Sequence, residues 1–492
     1  MPIDAEVDDG VIDLGRRSPW LVLCIVLFGL FSVNVTITIL AVSIPRIATE
    51  LRSTDQFVTW VVTGPTLAFG IIGPLVGKLG DRLGHRRVYL WGVFGAAVMA
   101  ALSALAWNAG SLIAFRTFGA IEGAATGPAS FAIISRVFPR EQRVKALGFW
   151  SMIGAGAPVL GVVIGGPLVE ALGWRALFAC QIPLVLLAGA LAWRVLPETP
   201  RDRTGSFDVA GAALLALAVA PLLFALSESA RLGWASPVVL ACLVVAPLSL
   251  VGFVAVERRV ADPLLPLRYF ARRNFTAPII ALAFLNAAYM GSFILTPLLL
   301  ENLLGYSESR TGLLSIARPL AFSIVGPIAG YLTVRVGERV AALAGAATVV
   351  AGMMWMSTLG LTSTDLMIVG SLAVAGIGMG LSMPALSSSI TTAVDERDLG
   401  IAGAAQQMMV QVGVVFGIQV MQTVQVVRAE PAGLAASYHQ AYWAGAGLAV
   451  VALLASTVIR RIDRTGRPSD ERAEAEVAIE GGLDALAPVG AT

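Results

Sequence analysis

Apolar stretches, each near the length of a membrane helix, follow one another along this chain with only short polar breaks between them. A helix needs about 20 mostly apolar residues to cross the hydrocarbon core of a bilayer. By that measure the pattern predicts fourteen spans, over residues 19–43, 57–77, 88–107, 110–134, 147–169, 175–196, 208–228, 235–256, 275–300, 311–333, 340–361, 366–391, 399–427 and 438–460. No amphipathic period is expected within them, because a helix surrounded by lipid and by other helices is apolar all round.

Composition sharpens this picture. Of the 492 residues, 57% are hydrophobic and only 13% charged, with a mean hydropathy of +0.80. That is roughly half the charged share of a soluble domain, too little for a water-facing surface of this length. A formal net charge of +2 gives no basic footprint for nucleic acid. Cys24, Cys180 and Cys242 each lie inside an apolar run, with neither metal-ligand nor disulfide spacing. They are expected to be buried structural thiols, and no metal or cofactor is implied.

The basic residues orient the spans. With the N-terminus in the cytoplasm, inner segments hold roughly 26 of the 34 Lys and Arg residues, the excess that cytoplasmic loops carry. An odd number of spans ahead of any basic cluster would scramble that pattern, so fourteen spans with both termini inside is the reading. Arg16-Arg17 precedes a run, Trp20 to Pro45, too long for a signal-peptide core and followed by further spans. The pair is read as a topology anchor. The expected organisation is a cytoplasmic tail (1–18), a six-helix bundle (19–200), a two-helix insertion with linkers (201–272), a second six-helix bundle (273–461) and a disordered acidic tail (462–492).

After the second span comes Gly77-Lys78-Leu79-Gly80-Asp81-Arg82-Leu83-Gly84-His85-Arg86-Arg87. Its glycines permit a tight turn, and Asp81 is placed to cap a helix N-terminus or to meet an arginine. A generic basic loop explains the arginines but not the order of Gly77, Asp81, Arg82, Gly84, Arg86 and Arg87. That order resembles the signature loop of the major facilitator superfamily. A degenerate copy, Gly330 to Arg339, follows the tenth span with Val334 at the acidic position, as fits a transporter built from parallel repeats. Arg116 stands six residues before Glu122 in the fourth span, similar to the family's intramembrane arginine. In the fifth span Gly154, Gly156, Pro158, Gly161, Gly165 and Gly166 resemble the glycine-rich helix of proton-coupled exporters, although Val162 replaces the proline expected after Gly161. Small residues at such spacing also serve plain helix packing. Trp174-Arg175 with Phe178 and Pro183 resembles the family's entry to the sixth helix, and Phe207-Asp208, Pro263 to Leu267 and Leu304 to Ser307 extend the likeness to the 14-helix drug:proton antiporter branch.

The resemblance implies an all-α membrane protein of the major facilitator fold: two six-helix bundles plus two inserted helices, working as a monomer in the cell membrane. An ionisable group at membrane depth is a functional candidate by default. Glu122, about 18 Å along its helix, is the leading proton carrier; Arg116 is a coupling or helix-tying residue. Arg318 in the tenth span is a candidate for an anionic group or for balancing Glu122 across a cavity. Relatives in the drug-exporting branch carry an acid in the first helix where Thr36 stands here, which leaves Glu122 as the main coupling acid. Gln406, Gln407, Gln411 and Gln419 are a polar cavity wall or helix-helix ties. The expected function is proton-driven export of an amphipathic small molecule by alternating access. A lipid or glycolipid mover and an uncoupled facilitator share the fold. A membrane enzyme is the remote alternative, since no metal cluster, nucleotide loop or nucleophile with an adjacent base is present in the sequence.

Overall fold

A computed structural model describes residues 18–36, 43–58, 60–199, 208–260 and 263–460. Every element among them is helical, and fourteen helices have sixteen residues or more. They are α1 (Pro19–Asn34), α2 (Trp60–Leu83), α3 (His85–Ala104), α4 (Ala109–Val137), α5 (Arg140–Leu172), α6 (Trp174–Val195), α7 (Val209–Leu232), α8 (Pro237–Glu257), α9 (Arg273–Asn302), α10 (Ala317–Val336), α11 (Glu338–Met356), α12 (Asp365–Thr392), α13 (Leu399–Ala432) and α14 (Leu434–Thr457). One helix falls on each predicted span. Among the described residues, nine helical stretches are long and apolar enough to cross a bilayer by length and composition, and Pro19–Asn34 and Ala210–Leu226 are apolar but shorter.

The sequence sets the boundaries through caps and left-handed glycines. Ser18 accepts from the amide of Trp20 with Pro19 at the first helical position, where the missing N–H costs nothing. Asn108 and Ser111 form a reciprocal capping box at the start of α4. Asp208 caps α7 through Gly211, and Thr364 caps α12 through Met367. The expected Gly77–Arg87 loop is shorter than its sequence suggests. Helix α2 continues through Asp81 and Arg82 to Leu83, and the chain reverses at Gly84 alone, with φ 97°. The degenerate copy behaves the same way, reversing at Gly337 with φ 87°. Both conformations suit glycine and strain any other residue.

Packing repeats between the halves. Contacts α1–α4, α1–α6, α2–α4, α3–α4 and α3–α6 knit the first six helices. Contacts α9–α12, α9–α14, α10–α12, α11–α12 and α11–α14 knit the last six in the equivalent pairs. The halves meet along α2–α13 and α5–α10, which are each other's counterparts under that repeat, with α4–α13 and α5–α12 beside them. Helix α7 lies against α2 and α13, straddling the seam, whereas α8 packs mainly on α7. With so little cover, α8 keeps Leu240, Val244, Leu248 and Val251 exposed, the side chains a lipid-facing helix presents. The thiols depart from expectation: Cys24 and Cys180 are exposed and Cys242 is intermediate, because each sits on the outward side of an apolar helix.

Candidate functional site

The two halves lock together at the end of the bundle that carries Gly77–Arg87. Gly77 lets α2 press on α13: an added Cβ would stand 2.5 Å from the Ala404 Cβ and 2.6 Å from the Gly400 carbonyl. That approach delivers the Asp81 carboxylate to the first turn of α13, where it accepts from the amides of Gly400 and Ile401, both at 3.1 Å. A helix N-terminus presents unpaired N–H groups and partial positive charge, so a carboxylate is favourable there. Asp81 also meets His85 Nε2 at 2.9 Å and the Arg136 guanidinium at 3.3 Å. Arg136 donates to the Glu396 carbonyl at 2.8 Å, and Arg143 donates to the Glu396 carboxylate at 3.0 Å. Residues from α2, α4, α5 and the α12–α13 turn thus form one buried polar network across the seam.

The surrounding positions divide by what they touch. Arg86 turns away from the seam and ties α3 to the end of α6 through Glu198 and the Trp193 carbonyl. Arg82 is partly buried and Arg87 exposed at the same end. On the symmetric seam, an added Cβ at Gly330 would stand 2.8 Å from the Val144 carbonyl, and one at Gly148 would stand 2.7 Å from the Gly326 carbonyl. The close approach of α5 to α10 therefore lies at Gly148, ahead of the glycine-rich series. Gly154 has nothing within 4 Å, and Gly156 meets only Ser323. The helix runs on through Pro158, Gly161, Gly165 and Gly166, whose side-chain surroundings lie outside the described residues.

The intramembrane charges do not share one space. Arg318 is fully buried within the second half, donating through its two terminal nitrogens to Ser292 Oγ at 2.6 Å, Thr296 Oγ1 at 3.1 Å, and the carbonyls of Tyr289 and Ser292, while its Nε has no hydrogen-bond partner. Glu122 lies against α3: its carboxyl occupies the place where a Cβ on Gly95 would go, and its buried Oε2 has no hydrogen-bond partner. Arg116 points instead toward α6, with its guanidinium 5.7 Å from the Phe178 ring centre. Thr36 is buried at the end of α1 and donates to Gln181 Oε1 at 3.2 Å. Gln181, which accepts from Thr36, lines one recess with Arg116, while Arg318 lies in the other half of the molecule.

Of the glutamines, Gln406 donates to Ser387 across α12–α13, and Gln419 bonds Thr423 of its own helix. Gln407 reaches across the seam: a Cβ on Gly127 would stand 3.2 Å from its Nε2 and 3.8 Å from Phe69. Sequence reading missed the latch behind α9. Arg268 donates to Asp395 and Asp398 at 2.8 and 3.3 Å, and the Tyr269 hydroxyl donates to Asp398. Burial, with that bond, holds the Tyr269 phenol above its ordinary range. No local pattern connects residues 127 positions apart, so only their shared acidic and basic character could have pointed to it.

Comparison with known proteins gives the family. The sequence profile of the Major Facilitator Superfamily matches residues 26–418 and 287–488. The multidrug transporter protein MdtP of Bacillus subtilis is 30% identical over 390 residues, 79% of this chain and 72% of that protein. The tetracenomycin C resistance and export protein of Streptomyces glaucescens is 29% identical over 82% of this chain and 76% of its own. The methylenomycin A resistance protein of Streptomyces coelicolor is 30% identical over 80% and 83% respectively. Among solved structures, the human organic anion transporter MFSD10 aligns with a TM-score of 0.64 at 18% identity, covering 90% of this chain and all of that one. The proton:xylose symporter XylE aligns equally well at 15% identity, covering 92% and 97%. Both are likenesses of fold. With helices paired alike in both halves, a glycine-permitted seam capped by Asp81, and this profile across most of its length, the chain belongs to the major facilitator superfamily of membrane transporters.

Proposed function

We propose that the protein exports amphipathic small molecules from the cell, driven by protons moving inward, with its termini and the Gly77–Arg87 end in the cytoplasm. The two six-helix halves rock about a site near the bilayer middle, and the Asp81 lock holds the cytoplasmic end shut in one of the two states. Relatives named for multidrug transport and for resistance to tetracenomycin C and methylenomycin A, each covering about four-fifths of the chain, carry the substrate class. Positive charge concentrated on the lock side supports the orientation.

Glu122 is the coupling acid in this reading. Its carboxyl lies at membrane depth with one oxygen unpartnered, and an ionisable group at that depth marks a proton or substrate path by default. Efflux of a cationic dye from proteoliposomes, with and without an inward proton gradient, tests it. The gradient should drive efflux in the wild type and fail to do so in Glu122→Gln. Equal efflux without a gradient would favour an uncoupled facilitator and return Glu122 to a structural role.

A further inference from the structure

Residues 263–272, which lead from the inserted pair into α9, bond to the same turn that the Asp81 lock closes against. The Arg268 guanidinium donates to the carboxylates of Asp395 and Asp398 at 2.8 and 3.3 Å, and the Arg272 guanidinium donates to the Ala393 carbonyl at 2.7 Å. Between them stands Tyr269, buried, with the two guanidinium carbons 5.0 and 5.1 Å from its ring centre. Its hydroxyl donates to Asp398 and accepts from the Asp395 amide at 3.3 Å. Charge-assisted bonds from planar guanidinium groups fix geometry well. All of them join one part of the second half to another, so none has to break when the halves part. The other end of the segment is fixed to the inserted pair. Glu257, the last residue of α8, is buried and accepts from the amides of Leu264 and Leu265 at 3.1 and 3.4 Å. Its carboxylate also stands at the first turn of α7, where an added Cβ on Gly211 would lie 2.9 Å from Oε1.

Toward the first half the attachment is thinner. Lys78 of α2 donates to the Pro263 carbonyl at 3.3 Å, through a compact charge on a flexible stem. Helix α7 packs on α2 and α13 alike, including a Trp60–Phe224 stack at 6.2 Å, so packing alone does not say which half it follows. The polar joints do. We propose that residues 263–272 are a strap that fastens the inserted pair to the second half at the lock end. The pair is then a passenger of that half: α2 slides along α7 as the seam opens, and each opening breaks the bond from Lys78 to Pro263. The inference rests on the rocking of the two halves in the reading above, not on its cargo or its driving gradient.

The test measures distances between pairs of spin labels in the full chain in nanodiscs, by double electron–electron resonance, with Cys24, Cys180 and Cys242 changed to alanine. Labels go in pairs on Leu21→Cys of α1, Val251→Cys of α8 and Leu454→Cys of α14, three exposed positions toward the lock end. Each pair is measured with and without Gly77→Val or Asp81→Asn, which open the seam. The distance from 21 to 454 should shift by more than the width of its own distribution. The distance from 251 to 21 should shift with it, and that from 251 to 454 should keep its mean. Arg268→Ala with Tyr269→Phe should broaden the distribution from 251 to 454; Arg268→Gln alone serves if that variant does not fold. A label at 251 that holds its distance to 21, or that shifts against both partners, overturns the proposal. So does an unbroadened distribution in the strap variant, which would leave packing as what holds the pair. A fixed distance from 21 to 454 in both opening variants would remove the rocking itself, and the exporter reading would fall with the strap. Absent gradient-driven efflux with the expected shifts intact would sink the exporter reading alone.

Discussion

Asp81 accepts from two backbone amides of α13 and two side chains, so removing its charge weakens four contacts at once. Hydrogen bonds to a charged group contribute about 1.5–3 kcal/mol each, and neutralising the acceptor loses only part of that. Asp81→Asn should therefore loosen the lock and lower efflux in proteoliposomes by at least about tenfold, the ratio that ~1.4 kcal/mol sets. Wild-type efflux from the Asn variant would show that the cap is dispensable. Which residues matter was largely readable at this scale, because glycine, acid and arginine in fixed order have few uses in a turn. Their partners were not: Gly400 and Ile401 lie more than 300 positions away. Arg318 shows the opposite limit. Its depth was evident in sequence, but its hydrogen bonds to Ser292 and Thr296 depend on how α9 and α10 face each other.

Helices were legible as elements because a span must be long and apolar whatever it packs against. Their ends were less so. Hydropathy stopped the second span at residue 77, whereas α2 carries Lys78, Asp81 and Arg82 as helix, since these charges find partners or solvent beyond the apolar core. The short helices Ile44–Glu50, Asp55–Val58 and Glu308–Ser315 were not separable by hydropathy, and the last two run partly into predicted spans. Close packing also has an element-scale signature that sequence alone leaves ambiguous. An added Cβ at Gly413 or Gly417 of α13 would run into the Ala283 or Ala287 backbone of α9, with no flexible side chain to yield. Gly417→Ala should destabilise the second half by about 1–3 kcal/mol, the usual cost of overpacking, seen as a lower thermal midpoint in detergent. Gly447→Ala on α14, where nothing lies within 4 Å, should be neutral or slightly stabilising, because alanine favours helix over glycine. Equal midpoints for the two variants would mean that the α9–α13 contact tolerates a methyl group and is looser than described.

Across the whole molecule the seam is built twice. Gly77 admits α13 to α2, and Gly330, its counterpart in the degenerate copy, admits α5 to α10. The second seam has Val334 where the first has Asp81. Closure at this end thus combines two steric contacts with one electrostatic cap. If both contacts belong to one rigid-body motion, bulk at either glycine must hold the same end open. Phe131 of α4, buried against Gly403 of α13, reports on that gap. In a background with Cys24, Cys180 and Cys242 changed to alanine, Phe131→Cys should react slowly with an impermeant maleimide applied from the lock side. Adding Gly77→Val or Gly330→Val should speed the reaction alike, on the order of tenfold for each ~1.4 kcal/mol taken from the closed state. The two together should add little, because a state already open has no closed population left to lose. Fast labelling in Gly77→Val but not in Gly330→Val would mean that the seams open separately, with the Asp81 side alone acting as the gate.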